Sequence, residues 1–160
     1  MKKSAIVLFF AAAFSFNAMA QTVQEGVSHW YAERYQSARQ TFEKLTAANP
    51  NNLEAVYWLG QTHIENDDVP AAKAVYEKAL ATNGNAPLVL AGMGHVELLE
   101  NKAPAAKQRF ESAISLSKNR KGNDPAVLNA IGRANFDAKA GDAAYAITLL
   151  TEATQKDPKN

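Results

Sequence analysis

A fixed period of 34 residues organises most of this chain of 160. Gly60 and Gly94 stand 34 apart, as do Pro70 and Pro104, Ala72 and Ala106, Lys73 and Lys107, Glu77 and Glu111, and Ala79 and Ala113, with Tyr76 answered by Phe110. One step back from Ala72 and Tyr76 lie Ala38 and Phe42. Onward the register slips twice: Gly94 is answered by Gly132 after 38 residues and Ala113 by Ala153 after 40. The first slip falls in the turn from Lys118 to Asp124 and the second near Gly141-Asp142, where added residues leave the helices intact. Self-similarity at this length marks a stack of supersecondary units, none of which buries its apolar face alone.

Within a period the apolar spacing is helical, as in Val56, Leu59, Gly60 and His63 and then Ala72, Val75, Tyr76 and Ala79. Each period therefore reads as a pair of helices. Asp67-Asp68-Val69-Pro70 and Asn101-Lys102-Ala103-Pro104 set an Asp or Asn at an expected N-cap and a proline in the first turn, where its missing N–H costs little. Asn49-Pro50 and Asp157-Pro158 close second helices. Gly60, Gly94, Gly132 and the periodic alanines are small because paired helices approach to about 8–10 Å. Tyr76 and Phe110 are expected to fill the space between one pair and the next.

The pattern resembles the tetratricopeptide repeat family. Leu59-Gly60, Ala72, Tyr76 and Ala79 carry the likeness in the clearest copy; Met93-Gly94, Ala106, Phe110 and Ala113 carry it in the next. Ile131-Gly132, Ala146, Leu150, Ala153 and Pro158 repeat it, and the first copy matches through Gly26, Ala38, Phe42 and Pro50. The resemblance implies an all-α, right-handed superhelical solenoid of about four antiparallel helix pairs, at residues 21–52, 53–86, 87–124 and 125–160. It also implies a non-catalytic scaffold that binds a peptide or partner segment in its concave groove.

Ahead of the repeats, Met1-Lys2-Lys3 gives a cationic start, Ala5 to Phe14 an apolar run of ten, and Ala18-Met19-Ala20 a small-x-small cleavage box. Residues 1–20 are therefore expected to be a cleaved signal peptide, the run being too short for the roughly 20 residues of a membrane span. Gln21 rather than a cysteine follows, so lipid attachment is not expected there. The protein should reach the periplasm or cell envelope of a bacterium without inserting in the membrane.

Charge and composition narrow the function further. Lys and Arg number 17 against 16 Asp and Glu. That balance offers no global field for a nucleic acid backbone. The absence of cysteine removes thiolate sites and thiol nucleophiles. His29, His63 and His95 are spaced by 34 and 32, with neither two of them four apart on one helix nor carboxylates at zinc-site spacing, and so read as packing side chains. Glu65, Asp67 and Asp68 sit at a junction between helices, where Asp67 or Asp68 caps the next helix. Lys118, Arg120 and Lys121, with Lys107 and Arg109 before them, read as a solvated turn. No catalytic, cofactor or metal site is expected.

Steps of three and four along each first helix pick out the stripe expected to line the groove. It runs through Val23, Val27 and Trp30; Glu54, Tyr57, Gln61 and Ile64; Leu88, Ala91, His95 and Leu98; and Ala126, Asn129, Arg133 and Phe136. Trp30, Tyr57, Ile64, Leu98 and Phe136 would anchor a protein or peptide partner, with Gln61, His95, Asn129 and Arg133 supplying polar contacts. The alternative is that several of the apolar members pack against neighbouring first helices. The family's carboxylate-gripping ligand site is not expected, since the stripe has no lysine. The last pair ends without a polar capping helix, so the sequence is expected to be the N-terminal part of a longer protein. The alternative to a binding scaffold is a structural or accessory N-terminal repeat array of a larger envelope or outer-membrane protein or enzyme, its exposed final pair stacking on further repeats or on another copy.

Overall fold

Apolar residues at intervals of three and four wind the chain into helices that pair through their small-residue faces, five of the eight described helices starting on a side-chain cap. In the computed structural model, which describes residues 22–158, these are α1 (Val23–Tyr31), α2 (Tyr35–Ala48), α3 (Leu53–Glu65), α4 (Val69–Thr82), α5 (Pro87–Leu99), α6 (Ala103–Ser117), α7 (Pro125–Asp137) and α8 (Ala143–Lys156). Four antiparallel pairs stack as an all-α helical solenoid, with no strand among the described residues. The first helices α1, α3, α5 and α7 touch one another in series, whereas the second helices do not meet, so the odd helices form the inner layer. The leader at residues 1–20 falls outside the described residues. No described helix is long and apolar enough to cross a membrane.

The starts follow their caps. Thr22, Asn52, Asp68, Asp124 and Asp142 each accept a backbone N–H of the first turn of their helix. Asn101, expected to cap α6, does not. It takes a left-handed conformation (φ 60°), and Lys102 occupies the cap position without a side-chain hydrogen bond. The reason is the turn itself. Glu33, Asp67 and Asn101, 34 residues apart, all have φ of 56–60°. Each lets the following N–H reach back to the first helix: Arg34 to His29, Asp68 to His63, Lys102 to Glu97. The fourth pair has two more residues at this corner, and Asn135 replaces that device: its Nδ2 donates to the Ile131 carbonyl and its Oδ1 accepts from the Asp142 N–H.

One aromatic ring per layer sets the spacing of the stack. Tyr76, fully buried, lies between two glycines: a Cβ at Gly60 of its own pair would strike the ring, and one at Gly92 of the next pair would stand 2.5 Å from its Cζ. Phe42 packs on Gly26 and Phe110 on Gly94, while in the last pair Leu150 packs on Gly132. The helix position facing the preceding ring is therefore decisive, and it is occupied by Trp58, Gly92 and Ala130 in successive pairs. Trp58 has no room to tuck in beside Phe42; the two rings stack, 6.5 Å apart and 13° from parallel.

The turn from Lys118 to Asp124 is braced rather than free. Asn119 and Gly122 bridge each other's backbones, Lys156 donates to the Lys121 carbonyl and Asn123 to Glu152. Lys73 and Lys102 both hold Glu100, joining α4 to the end of α5.

Candidate functional site

The inner layer curls far enough to bring the fourth pair against the first. Arg133 of α7 lays its guanidinium over the Trp30 ring of α1, 4.4 Å from the centroid, and 5.9 Å from that of Trp58 on α3. Trp30 in turn meets Tyr31, Tyr35 and Trp58 edge to face, and Tyr57 meets Trp58. A guanidinium over an indole face is attracted by the ring quadrupole, worth roughly 0.5–2 kcal/mol depending on solvation. Beside this cluster opens a trough of about 280 Å³ lined by Gln24, Val27, Tyr31, Glu54, Tyr57, Trp58, Leu88, Ala126, Asn129, Ala130 and Arg133.

The expected stripe divides under this geometry. Val27, Glu54, Tyr57, Leu88, Ala126, Asn129 and Arg133 line the trough. Trp30, Gln61, His95 and Leu98 are buried and hold helices together, Tyr57 being accessible only along its trough edge. Ile64 is half-buried against the Tyr76 cluster, and Phe136 stands 67% exposed, outside the lining. First helices that touch in series must bury the middle of such a stripe, so packing on neighbouring helices claims these four. Gln24, Tyr31, Trp58 and Ala130, none of them on the stripe, complete the lining. Trp58 carries a readable signal: it is a large ring at the position of Gly92 and Ala130, and a side chain too big for its layer must emerge elsewhere.

Beneath the trough runs a buried polar relay. Tyr76 donates its hydroxyl to the Tyr57 carbonyl (2.9 Å) and accepts from Gln61 Nε2 (3.0 Å). Gln61 Oε1 then faces His95 Nδ1 at 3.4 Å, which requires the Nδ1–H tautomer. His95 Nε2 is buried with no hydrogen-bond partner among the described residues. Burial, with Arg133 nearby, lowers the His95 pKa to about 4, so the imidazole is neutral. Burial pushes the Tyr57 phenol up to about 12. Outside the trough lining, at the C-terminal ends of α3 and α7, Glu65 and Asp137 are both raised above the usual carboxylate range. Desolvation is the main cause for each, opposed by Arg133, and Asp137 also raises Glu65.

No nucleophile, base and orienter meet in this arrangement, and among the described residues no group of His, Asp or Glu could hold a metal. Residues 23–87, spanning α1 to α4, match the model of the tetratricopeptide repeat family. These residues are tetratricopeptide repeats. Their packing of a glycine on a large apolar side chain continues through the third pair (Gly94 on Phe110) and the fourth (Gly132 on Leu150), which carry the tetratricopeptide repeat architecture to Lys156. Among solved structures the chain is similar to one described as "Crystal structure of APC/C hetero-tetramer Cut9-Hcn1" (TM-score 0.59, 19% identity, 86% of this chain). It spans only 25% of that chain's length. It is also similar to "Crystal structure of MamA" (TM-score 0.51, 20% identity, 86% of this chain and 77% of that one). At these identities the likeness is one of fold. No curated protein matches the sequence. Tetratricopeptide repeats serve as protein–protein interaction scaffolds.

Proposed function

We propose that this chain is a non-catalytic protein-binding scaffold of the bacterial cell envelope, exported by its leader, whose concave trough receives a segment of a partner protein. The observation that carries the reading is the trough itself, where apolar and aromatic faces (Val27, Tyr31, Trp58, Leu88) alternate with polar groups (Gln24, Glu54, Asn129, Arg133) along the inner layer. That mixture suits an extended peptide or a partner helix: rigid rings supply area at low entropic cost, and the polar groups set register. The cationic start, apolar run and small-x-small box support export.

A photo-crosslinking side chain placed at Leu88 or Ala126 in the exporting cell should capture a discrete partner, while the same group at Lys78, on the outer layer, should not. Equal capture at all three positions, or at Lys78 alone, refutes the trough. N-terminal sequencing of envelope-fractionated protein should read from Gln21; an uncut chain in the cytoplasm refutes the location.

A further inference from the structure

Charge is sorted between the two layers of the solenoid. The first helices carry five carboxylates (Glu25, Glu54, Glu65, Glu97, Asp137) against one basic side chain, Arg133, whereas the second helices carry seven basic against four acidic. Of the five, Glu97 is buried and paired with Arg109, so Glu25, Glu54, Glu65 and Asp137 face solvent on the inner layer. Glu54 lines the trough, Asp137 lies one helical turn beyond Arg133, and Glu65 lies two turns beyond Trp58.

The single cation of that layer does not neutralise them by contact. No carboxylate of the described residues comes within 4.0 Å of the Arg133 guanidinium, which is spent on the faces of Trp30 and Trp58. Glu65 and Asp137 sense it only at a distance, and desolvation still leaves their carboxyls above the usual carboxylate range. The C-terminal ends of α1, α3 and α7, each the negative pole of its helix, add to the deficit at that rim. Arg133 meanwhile demonstrates the chemistry that this aromatic cluster accepts: a cation seated over rings. Tyr31, 63% exposed, and the trough edges of Tyr57 and Trp58 offer further π faces beside it.

We infer that the trough's partner is a cationic segment, rich in Lys or Arg, whose positive side chains lie between the carboxylates of Glu54, Glu65 and Asp137 and over the exposed rings. The inference rests on the trough being the docking site and names the chemistry of what docks. Opposite charge at a rim raises association rate and fixes register, while the ring faces supply attraction that salt screens less.

The test uses two short probes, an alternating lysine–serine peptide and its glutamate–serine counterpart, titrated onto the purified protein. Trp58 lines the trough and Trp30 lies buried beside it under Arg133, so tryptophan emission reports binding. The lysine peptide should bind and change the emission. Its affinity should fall roughly tenfold in the triple variant Glu54→Gln, Glu65→Gln, Asp137→Asn, and several-fold between about 50 and 300 mM salt. All three side chains are exposed, and circular dichroism checks that the variant stays folded. Tighter or equal binding of the glutamate peptide, no binding of either, or lysine-peptide binding indifferent to the triple variant each overturns the cationic partner. Crosslinking at Leu88 and Ala126 is independent of these results; its persistence in any of those cases keeps the trough and discards only the charge assignment.

Discussion

Gly92→Ala tests the packing that spaces the layers. By intrinsic propensity the change should help, since alanine is favoured over glycine inside a helix by about 1 kcal/mol. The structure predicts the opposite. The new Cβ would stand 2.5 Å from Tyr76 Cζ, about 1 Å inside ordinary carbon–carbon contact. The ring cannot retreat: Gly60 closes its other side, and its hydroxyl is tied to the Tyr57 carbonyl and Gln61. Overpacking of this kind costs roughly 1–3 kcal/mol, and a confined ring belongs near the upper end. Net of propensity, the loss is about 2 kcal/mol, or a melting temperature lowered by about 6 °C for a domain of this size. Urea and thermal denaturation followed by circular dichroism measure it. In a Tyr76→Leu background no ring atom remains to collide, so the same substitution should become neutral or stabilising. A rise in stability with Tyr76 present, or an unchanged penalty without it, refutes the reasoning.

The buried imidazole predicts acid sensitivity. His95 titrates near 4 when folded and near 6.5 when unfolded, so between those values the unfolded chain holds a proton that the folded chain refuses. Stability should therefore drop as pH falls from about 6.5 to 4, by about 3 kcal/mol at most, and then level off. The raised carboxyls of Glu65 and Asp137 act with opposite sign and are common to both proteins, so comparison with His95→Gln, whose profile should be flatter in that window, isolates the histidine. Gly141→Ala would press its Cβ into the Asn135 backbone, which has nowhere to go, and should cost about 2 kcal/mol or more. Gly84→Ala meets only the Leu80 carbonyl at 3.7 Å and should stay within about 0.5 kcal/mol, so equal melting shifts for the two would contradict this placement.

The helix pairs were legible because packing small against large within a hairpin is local. A glycine and the large side chain on which it rests lie 16 residues apart in three pairs, where that side chain is a ring, and 18 in the fourth, where it is Leu150, so they leave a period in the sequence. The left-handed turn was less visible, since Glu33, Asp67 and Asn101 share a backbone conformation but no side-chain chemistry. An Asn three residues before a proline reads equally well as a cap. The site was legible only as a stripe. Which members stay open depends on how far each layer rotates on the last, and that is decided by Trp58, Gly92 and Ala130 acting together. Arg133 and Trp30 are separated by 103 residues, and no periodicity announces that they meet.

That meeting changes how the molecule should come apart. An open stack of hairpins unzips from its ends, each unit answering only to the ones beside it. Here a fastening runs from the fourth unit back to the first, so fraying at one extremity must be felt at the other, and the whole should melt more nearly as a hoop than as a ladder.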